Sequence, residues 1–340
     1  MARLMDQLIG HRETLRPLFW ARAKNSLAGS LLFAGPSGIG KKKSAMALIQ
    51  LLVCESAVLS KGEGVLVACG ECGHCLRIEN QQSESLYVVQ PSGNQIKIEQ
   101  IREVLKFLSL RSLGRARVVL IDQAHLMNPQ AANALLKSLE EPPQDTHFIL
   151  ISQQPTSLLA TIRSRTQLVR FKPLSHDELK KVIQEFPKSI DDPPFEEWMI
   201  AAAQGSVESV MRLRDLGESL QELERTTVDY IFSAQNGLPS GEMNSLKDRL
   251  KDRAVQGVFV VLLQGLINEA MKLQAGVAVS AEYKSREVLI AAVKKLADIR
   301  GENLRTLADL SIELEQDLNR NVDRSLILEN FAIQLKAAAH

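Results

Sequence analysis

The sequence predicts an α/β fold: a parallel sheet covered by helices, an inserted cysteine module and an all-helical remainder. Three observations carry this. Between residues 30 and 171, short apolar runs alternate with helical patterns, which is the signature of a parallel sheet with helices on both faces. The first run, Ser30-Leu31-Leu32-Phe33-Ala34, passes through Gly35-Pro36-Ser37-Gly38-Ile39-Gly40-Lys41 into a helical pattern at Ser44–Ile49. From about residue 217 only helical periodicity remains.

Composition bounds the rest. The chain has 340 residues, enough for two or three domains, and 45% hydrophobic content, ordinary for a globular protein. Net charge is +1, so no global field draws in nucleic acid or a membrane surface. The N-terminus has no apolar signal core. The densest apolar stretch, Val258 to Ile267, is too short to span a bilayer and reads as a buried helix. A cytoplasmic protein without a membrane partner is the expectation. Aromatic content of 4% favours helix-rich packing over an all-β fold.

Residues 1–29 carry a helical pattern ending at Leu27-Ala28-Gly29, with Gly10 as the turn before it. The turn at 35–41 then has the strand–turn–helix context of a phosphate-binding loop. Glycines let backbone N–H groups crowd an anion, the helix N-terminus adds partial positive charge, and Lys41 reaches the β- and γ-phosphates. The next residue should be Ser or Thr, whose hydroxyl holds Mg²⁺. It is Lys42. The loop is built to hold a nucleotide and poorly built to hydrolyse one.

Four cysteines, Cys54, Cys69, Cys72 and Cys75, fall within 22 residues and are all the chain has. Their spacing matches a tetrahedral structural zinc site with the 60–64 loop folding back. Disulfides are the rival reading, disfavoured in a reducing compartment. His74 is read as a neighbour, since four thiolates fill the coordination sphere.

A second strand is expected at Leu86–Gln90, a helix over Ile96–Leu108, and a basic cluster at Arg111, Arg115 and Arg117. A third strand, Val118–Ile121, ends in Asp122. After a phosphate-binding loop, a strand-end aspartate is the expected Mg²⁺ partner. The following position holds Gln123, whose amide cannot act as a general base. Asn128-Pro129 opens a helix through Leu139. A fourth strand, His147–Ser152, places Ser152 at its tip, either as a γ-phosphate sensor or as a solvated loop hydroxyl. A fifth strand is expected at Gln167–Phe171. Ser175 and Glu178 form a capping box for the next helix, and Asp191-Asp192-Pro193-Pro194 separates two more. In the last third, Gly237–Gly241 and Gly276–Ser280 are breaks, and Leu304, Leu307, Leu310, Leu314 and Leu318 form a core stripe. The final Ala337–His340 carries no interpretable pattern.

Several of these segments together resemble the delta-prime family of bacterial DNA polymerase III clamp-loader subunits, which belong to the AAA+ class. They are Gly35 to Lys41, the four cysteines, Asp122, Ala131 to Lys137, Leu139-Glu140-Glu141-Pro142-Pro143, and Ser164-Arg165. The last pair resembles the family's Ser-Arg-Cys motif with Thr166 in place of Cys. Arg320-Asn321-Val322 and Leu326–Glu329 resemble its collar helices. The likeness is strongest from 30 to 172.

The resemblance implies an AAA+ nucleotide-binding core over 1–172 with a zinc module at 54–75, a helical lid over 173–216 and a helical collar over 217–340. It implies a hetero-pentameric ring with gamma/tau and delta subunits, acting on the sliding clamp and primed DNA as part of the polymerase III holoenzyme. Lys42, Gln123 and Glu208, the last where motor paralogues carry a nucleotide-sensing Arg, point to a stator that has lost its own ATPase activity. ATP as a ligand stays open. The family places an arginine finger at Arg165, reaching a neighbour's nucleotide; taken alone, this residue reads as a solvated loop arginine or a partner of Asp122. Two alternatives remain: an active gamma/tau-like ATPase, and a zinc-bearing nucleic-acid-binding module acting alone, which the near-zero net charge disfavours.

Overall fold

Strand β1 (Ser30–Ala34) is buried at every position, as a strand covered on both faces must be. In the computed structural model, residues 3–60, 64–110, 114–186, 194–217, 219–236, 240–284, 286–318 and 323–339 are described. The further strands are β2 (Val58–Leu59), β3 (Leu66–Val67), β4 (Leu86–Val89), β5 (Arg117–Ile121), β6 (Thr146–Ser152) and β7 (Gln167–Arg170). Five of them form one sheet in the order β4-β5-β6-β1-β7, and every neighbouring pair is parallel. All strand ends, and the loops that follow them, therefore lie along one edge.

Side chains alternate across this sheet with a period of two. Leu31 and Phe33 of β1, with Val118 and Leu120 of β5, enter the core shared with helices α1 (Arg12–Ala23) and α2 (Lys41–Val53). Leu32, Val119 and Ile121 enter the opposite core, with α4 (Ile98–Ser109) and α5 (Pro129–Glu140). The short α3 (Gly73–Glu79) precedes α4. Emptying one such position, as in Phe33→Ala, costs about 3–5 kcal/mol by the cavity it leaves.

The chain divides into two units, Met1–Glu178 and Leu179–His340. The first also holds the five-residue α6 (Ala160–Ser164), and α7 (His176–Gln184) lies across the division. The second holds α8 (Glu197–Ala202), α9 (Val207–Asp215), α10 (Ser219–Asn236), α11 (Ser240–Arg249), α12 (Arg253–Gln274), α13 (Ala281–Lys284), α14 (Glu287–Ala297), α15 (Gly301–Leu318) and α16 (Arg324–Ala339). Helix α12 packs against α8, α9, α10, α14 and α15. Its apolar stretch is core, as are Leu304, Leu307, Leu314 and Leu318 of α15. Among the described residues, no helix is long and apolar enough to cross a membrane.

Two local expectations are corrected and one segment gains structure. The helical pattern of residues 1–29 forms a helix only over Arg12–Ala23, because the chain turns through left-handed backbone at Gly10, His11 and Asn25. On either side of the expected 60–64 loop, β2 and β3 pair as an antiparallel hairpin that the sequence did not show. Ala160–Ser164 is helical, so Arg165 caps a helix rather than sitting in a loop. Arg111, Lys61–Glu63, Asp191–Pro193, Gly237–Pro239, Arg320–Val322 and His340 lie outside the described residues.

Candidate functional site

The loop from Gly35 to Gly40 joins β1 to α2 at the strand-end edge. A Cβ at Gly35 would lie 2.5 Å from the Phe171 carbonyl oxygen, and Gly38 and Gly40 take φ of 68° and 94°. Side chains are disfavoured at all three. Pro36 and Ser37 are exposed, and Ile39 is fully buried beneath the loop. Lys41, itself buried, donates from Nζ to the Gly35 carbonyl at 2.7 Å and also to the Pro36 carbonyl.

Because β6 lies between β1 and β5, the tips of all three strands meet at this loop. Ala34 pairs with Ser152, and the Gly35 N–H donates to the Ser152 carbonyl at 3.2 Å. The Ser152 side chain is fully buried and its Oγ accepts from the Gln154 N–H at 3.1 Å. It is therefore not a solvated loop hydroxyl. Asp122 follows β5, and its Oδ2 lies 3.1 Å from Nζ of Lys42. Gln123 takes left-handed backbone, φ 51°.

A divalent cation does not fit this arrangement. The hydroxyl it would need is absent, and the ammonium of Lys42 already neutralises the carboxylate that would face it. The intrachain partner of Asp122 is thus Lys42, not Arg165.

Two histidines border the loop and carried no recognisable sequence pattern. His11 Nε2 bonds with the Ile39 carbonyl oxygen at 2.6 Å, and its ring meets Phe171 edge-on at 5.0 Å. Burial holds its pKa below the usual imidazole value. His125 is held down by burial and then by the charge of Lys41. Both rings feel the charge of Lys41, which lowers their proton affinity further.

The four cysteines converge. Their sulfurs all lie within 4.8 Å of one another, and all four are free thiols. Cys54 and Cys69 are 3.6 Å apart at sulfur, Cys69 and Cys75 3.8 Å. Four sulfurs about 2.3 Å from a tetrahedral metal would stand about 3.8 Å apart, so the set fits a metal ion. Burial pushes the Cys54 and Cys75 thiols up. Burial also pushes on Cys69, but N–H groups of Glu71 and Cys72 aimed at its sulfur bring it down to about 7. Outer partners fix the ligand backbone: Arg3 Nε, Gln50 Nε2 and Arg115 Nη1 donate to the carbonyls of Cys69, Cys75 and Cys54. The Nε2 of His74 lies 3.1 Å from a Glu55 carboxylate oxygen, and its Nδ1 pairs with Arg77; it stands beside the cluster, not in it.

Arg165 lies far from the loop. It precedes β7, whose Gln167 pairs with Leu31, so it stands at the strand-start edge. Four residues of strand separate the two edges, about 13 Å at 3.3 Å per residue. Its Nε donates to Glu140 Oε2 at 3.0 Å, and its Nη1 to the Thr161 carbonyl at 3.3 Å. In the second unit, Glu208 pairs with Arg212 within α9.

The family described as "DNA polymerase III, delta subunit" matches residues 10–175. DNA polymerase III subunit delta' of Bacillus subtilis is 36% identical over 179 residues, 52% of this chain and 49% of that protein. The delta' subunit of Pseudomonas aeruginosa is 34% identical over 209 residues, 60% of each chain. The tau/gamma subunit of Haemophilus influenzae is 29% identical over 314 residues, 91% of this chain and 40% of that protein. The alignments thus span about half to three-fifths of the length of these delta' relatives. Residues 10–175 thus resemble the DNA polymerase III delta-subunit family, and the relatives aligned with this chain include proteins named DNA polymerase III subunit delta'.

Proposed function

We propose that the chain is a stator-like subunit of a DNA polymerase III clamp loader. It assembles with tau/gamma and delta subunits in a hetero-pentameric ring and helps load the sliding clamp onto primed DNA. Its loop at 35–41, with Lys42, Asp122 and Ser152, is the nucleotide-facing site, and that site no longer hydrolyses ATP. Residues 173–216 serve as lid and 217–340 as collar. Zinc is the metal of the four cysteines, in a structural role, since four thiolates leave no open coordination position.

The observation that carries this reading is the separation of Arg165 from the chain's own phosphate loop, at opposite edges of one sheet. An arginine there cannot serve its own nucleotide, which supports a role toward another subunit's. A guanidinium is permanently charged and presents a planar fork to phosphate oxygens. In other phosphoryl-transfer systems such a finger is worth about 10³–10⁵ in rate; in a ring with several sites the measured loss is smaller, because one site is affected.

The test is to reconstitute the loader with Arg165→Ala and measure DNA-dependent ATP turnover and clamp loading. Assembly should survive while turnover falls. Unchanged turnover and loading would reduce Arg165 to a surface arginine. The long tau/gamma alignment favours one alternative, an active ATPase; ATP turnover by the purified chain would establish it.

A further inference from the structure

We propose that Glu140 is the positioning residue for Arg165, holding its guanidinium ready for a neighbouring subunit's phosphate. This rests on the trans-acting reading of Arg165 given above. Glu140 ends α5 and Arg165 caps α6, so two helices from separate parts of the sequence bring them together. The carboxylate accepts from Nε at 3.0 Å, and the Thr161 carbonyl accepts from Nη1 at 3.3 Å.

Two anchors at different nitrogens fix both the position and the rotation of a planar group. Without them a long side chain with about 2 kcal/mol of rotamer entropy would have to be ordered on meeting its target. A guanidinium has five N–H donors; the anchors use Nε and one bond from Nη1, so the outer end of the fork remains for an anion. Beside the pair lies an open cleft of about 430 Å³, lined by Gly29, Ser30, Glu140, Ser164, Arg165 and Gln167, with room for a phosphate.

Stability does not explain the contact. The Arg165 and Glu140 side chains are 31% and 58% exposed, and exposed pairs contribute little to folding. Orientation is a different matter: misplacing a catalytic group by about 1 Å can cost on the order of 100-fold in rate.

The experiment is a double-mutant cycle in the reconstituted loader, comparing wild type, Glu140→Ala, Glu140→Gln, Arg165→Ala and Glu140→Ala/Arg165→Ala. DNA-dependent ATP turnover is measured across ATP concentrations, with thermal unfolding of each purified chain as the folding control. Glu140→Ala should lower kcat toward the Arg165→Ala level at unchanged KM, with unfolding unchanged. Glu140→Gln keeps an acceptor oxygen for Nε and should stay within about twofold of wild type. The double variant should be no slower than Arg165→Ala, because residues acting as a unit are not additive. Wild-type or faster turnover by Glu140→Ala, where Arg165→Ala is slow, overturns the inference and leaves the trans reading standing. Additive losses also overturn it. If Arg165→Ala itself turns over normally, the trans reading falls and this inference with it.

Discussion

Nζ of Lys42 lies 3.1 Å from Oδ2 of Asp122, so the chain neutralises with its own cation the carboxylate that ends β5. In a hydrolysing loop a metal ion would stand between a hydroxyl and that carboxylate. Here Lys42 stands where that hydroxyl would be and pairs with the carboxylate, and the next residue, Gln123, carries an amide that cannot take a proton.

The isolated chain should therefore release no phosphate from ATP above background. Gln123→Glu alone should not restore turnover, because the metal ligand is still missing and Lys42 still holds Asp122. Phosphate release at roughly 1 s⁻¹ or faster, the low end for working enzymes, would contradict the stator reading.

Protein purified without chelator should contain one zinc per chain by elemental analysis. Cys72→Ser should abolish it and expose the 54–75 segment to protease, since binding free energy at a structural site is folding free energy. A loss of about 3 kcal/mol or more is expected. Full-strength folding of the metal-free chain would exclude a structural role.

Acid should weaken the first unit. Burial lowers the pKa values of His11, His125 and His147 below 6.5. Between those lowered values and 6.5 the unfolded chain binds more protons than the folded one, so stability falls as pH drops through that window and is complete above it. A tenfold difference in proton affinity between the folded and unfolded chain is worth about 1.4 kcal/mol. Denaturant unfolding at pH 7.5 and 5.5 should show the loss, and His147→Gln should reduce it.

In the second unit, Arg286 bridges Glu196 at 3.1 Å and Glu224 at 2.7 Å, with its guanidinium 4.4 Å from the Trp198 ring centroid. Burial raises the Glu224 pKa and Arg286 restrains that rise. Arg286→Ala should cost about 3–5 kcal/mol at neutral pH by leaving a buried carboxylate unpaired. With its folded pKa raised further, Glu224 takes up a proton as pH falls, so part of the loss returns in acid. Urea unfolding at pH 7.5 and 5 checks both signs.

Much of the fold was legible because its signals are local. Ser30–Ala34 and Val118–Ile121 are consecutive apolar runs, as doubly covered strands must be. Asn128 accepts the Ala131 N–H at 2.8 Å with Pro129 behind it, as the cap pattern requires. The β2–β3 hairpin was not legible: two-residue strands are too short to show a period, and Val58 and Leu59 are exposed. His11 and His125 gave no signal either, since what makes them part of the site is burial against elements distant in sequence.

The sequence by itself determined the residue types that chemistry needs and the order in which they occur: the glycine loop with its lysine, the four thiols, the strand-end aspartate and the missing base. The identities and spacings are properties of one chain; their chemical roles are the proposal made above. Tertiary structure alone decided the pairings. The order β4-β5-β6-β1-β7 inserts β6 between β1 and β5 and so carries Ser152 and Asp122 to one loop. Parallel register sends Arg165 to the other edge. Lys42 finds Asp122, and Arg165 finds Glu140, because the hydrophobic burial that closes the sheet on both faces fixes where each strand begins and ends, and charged side chains pair with whatever that packing leaves within reach.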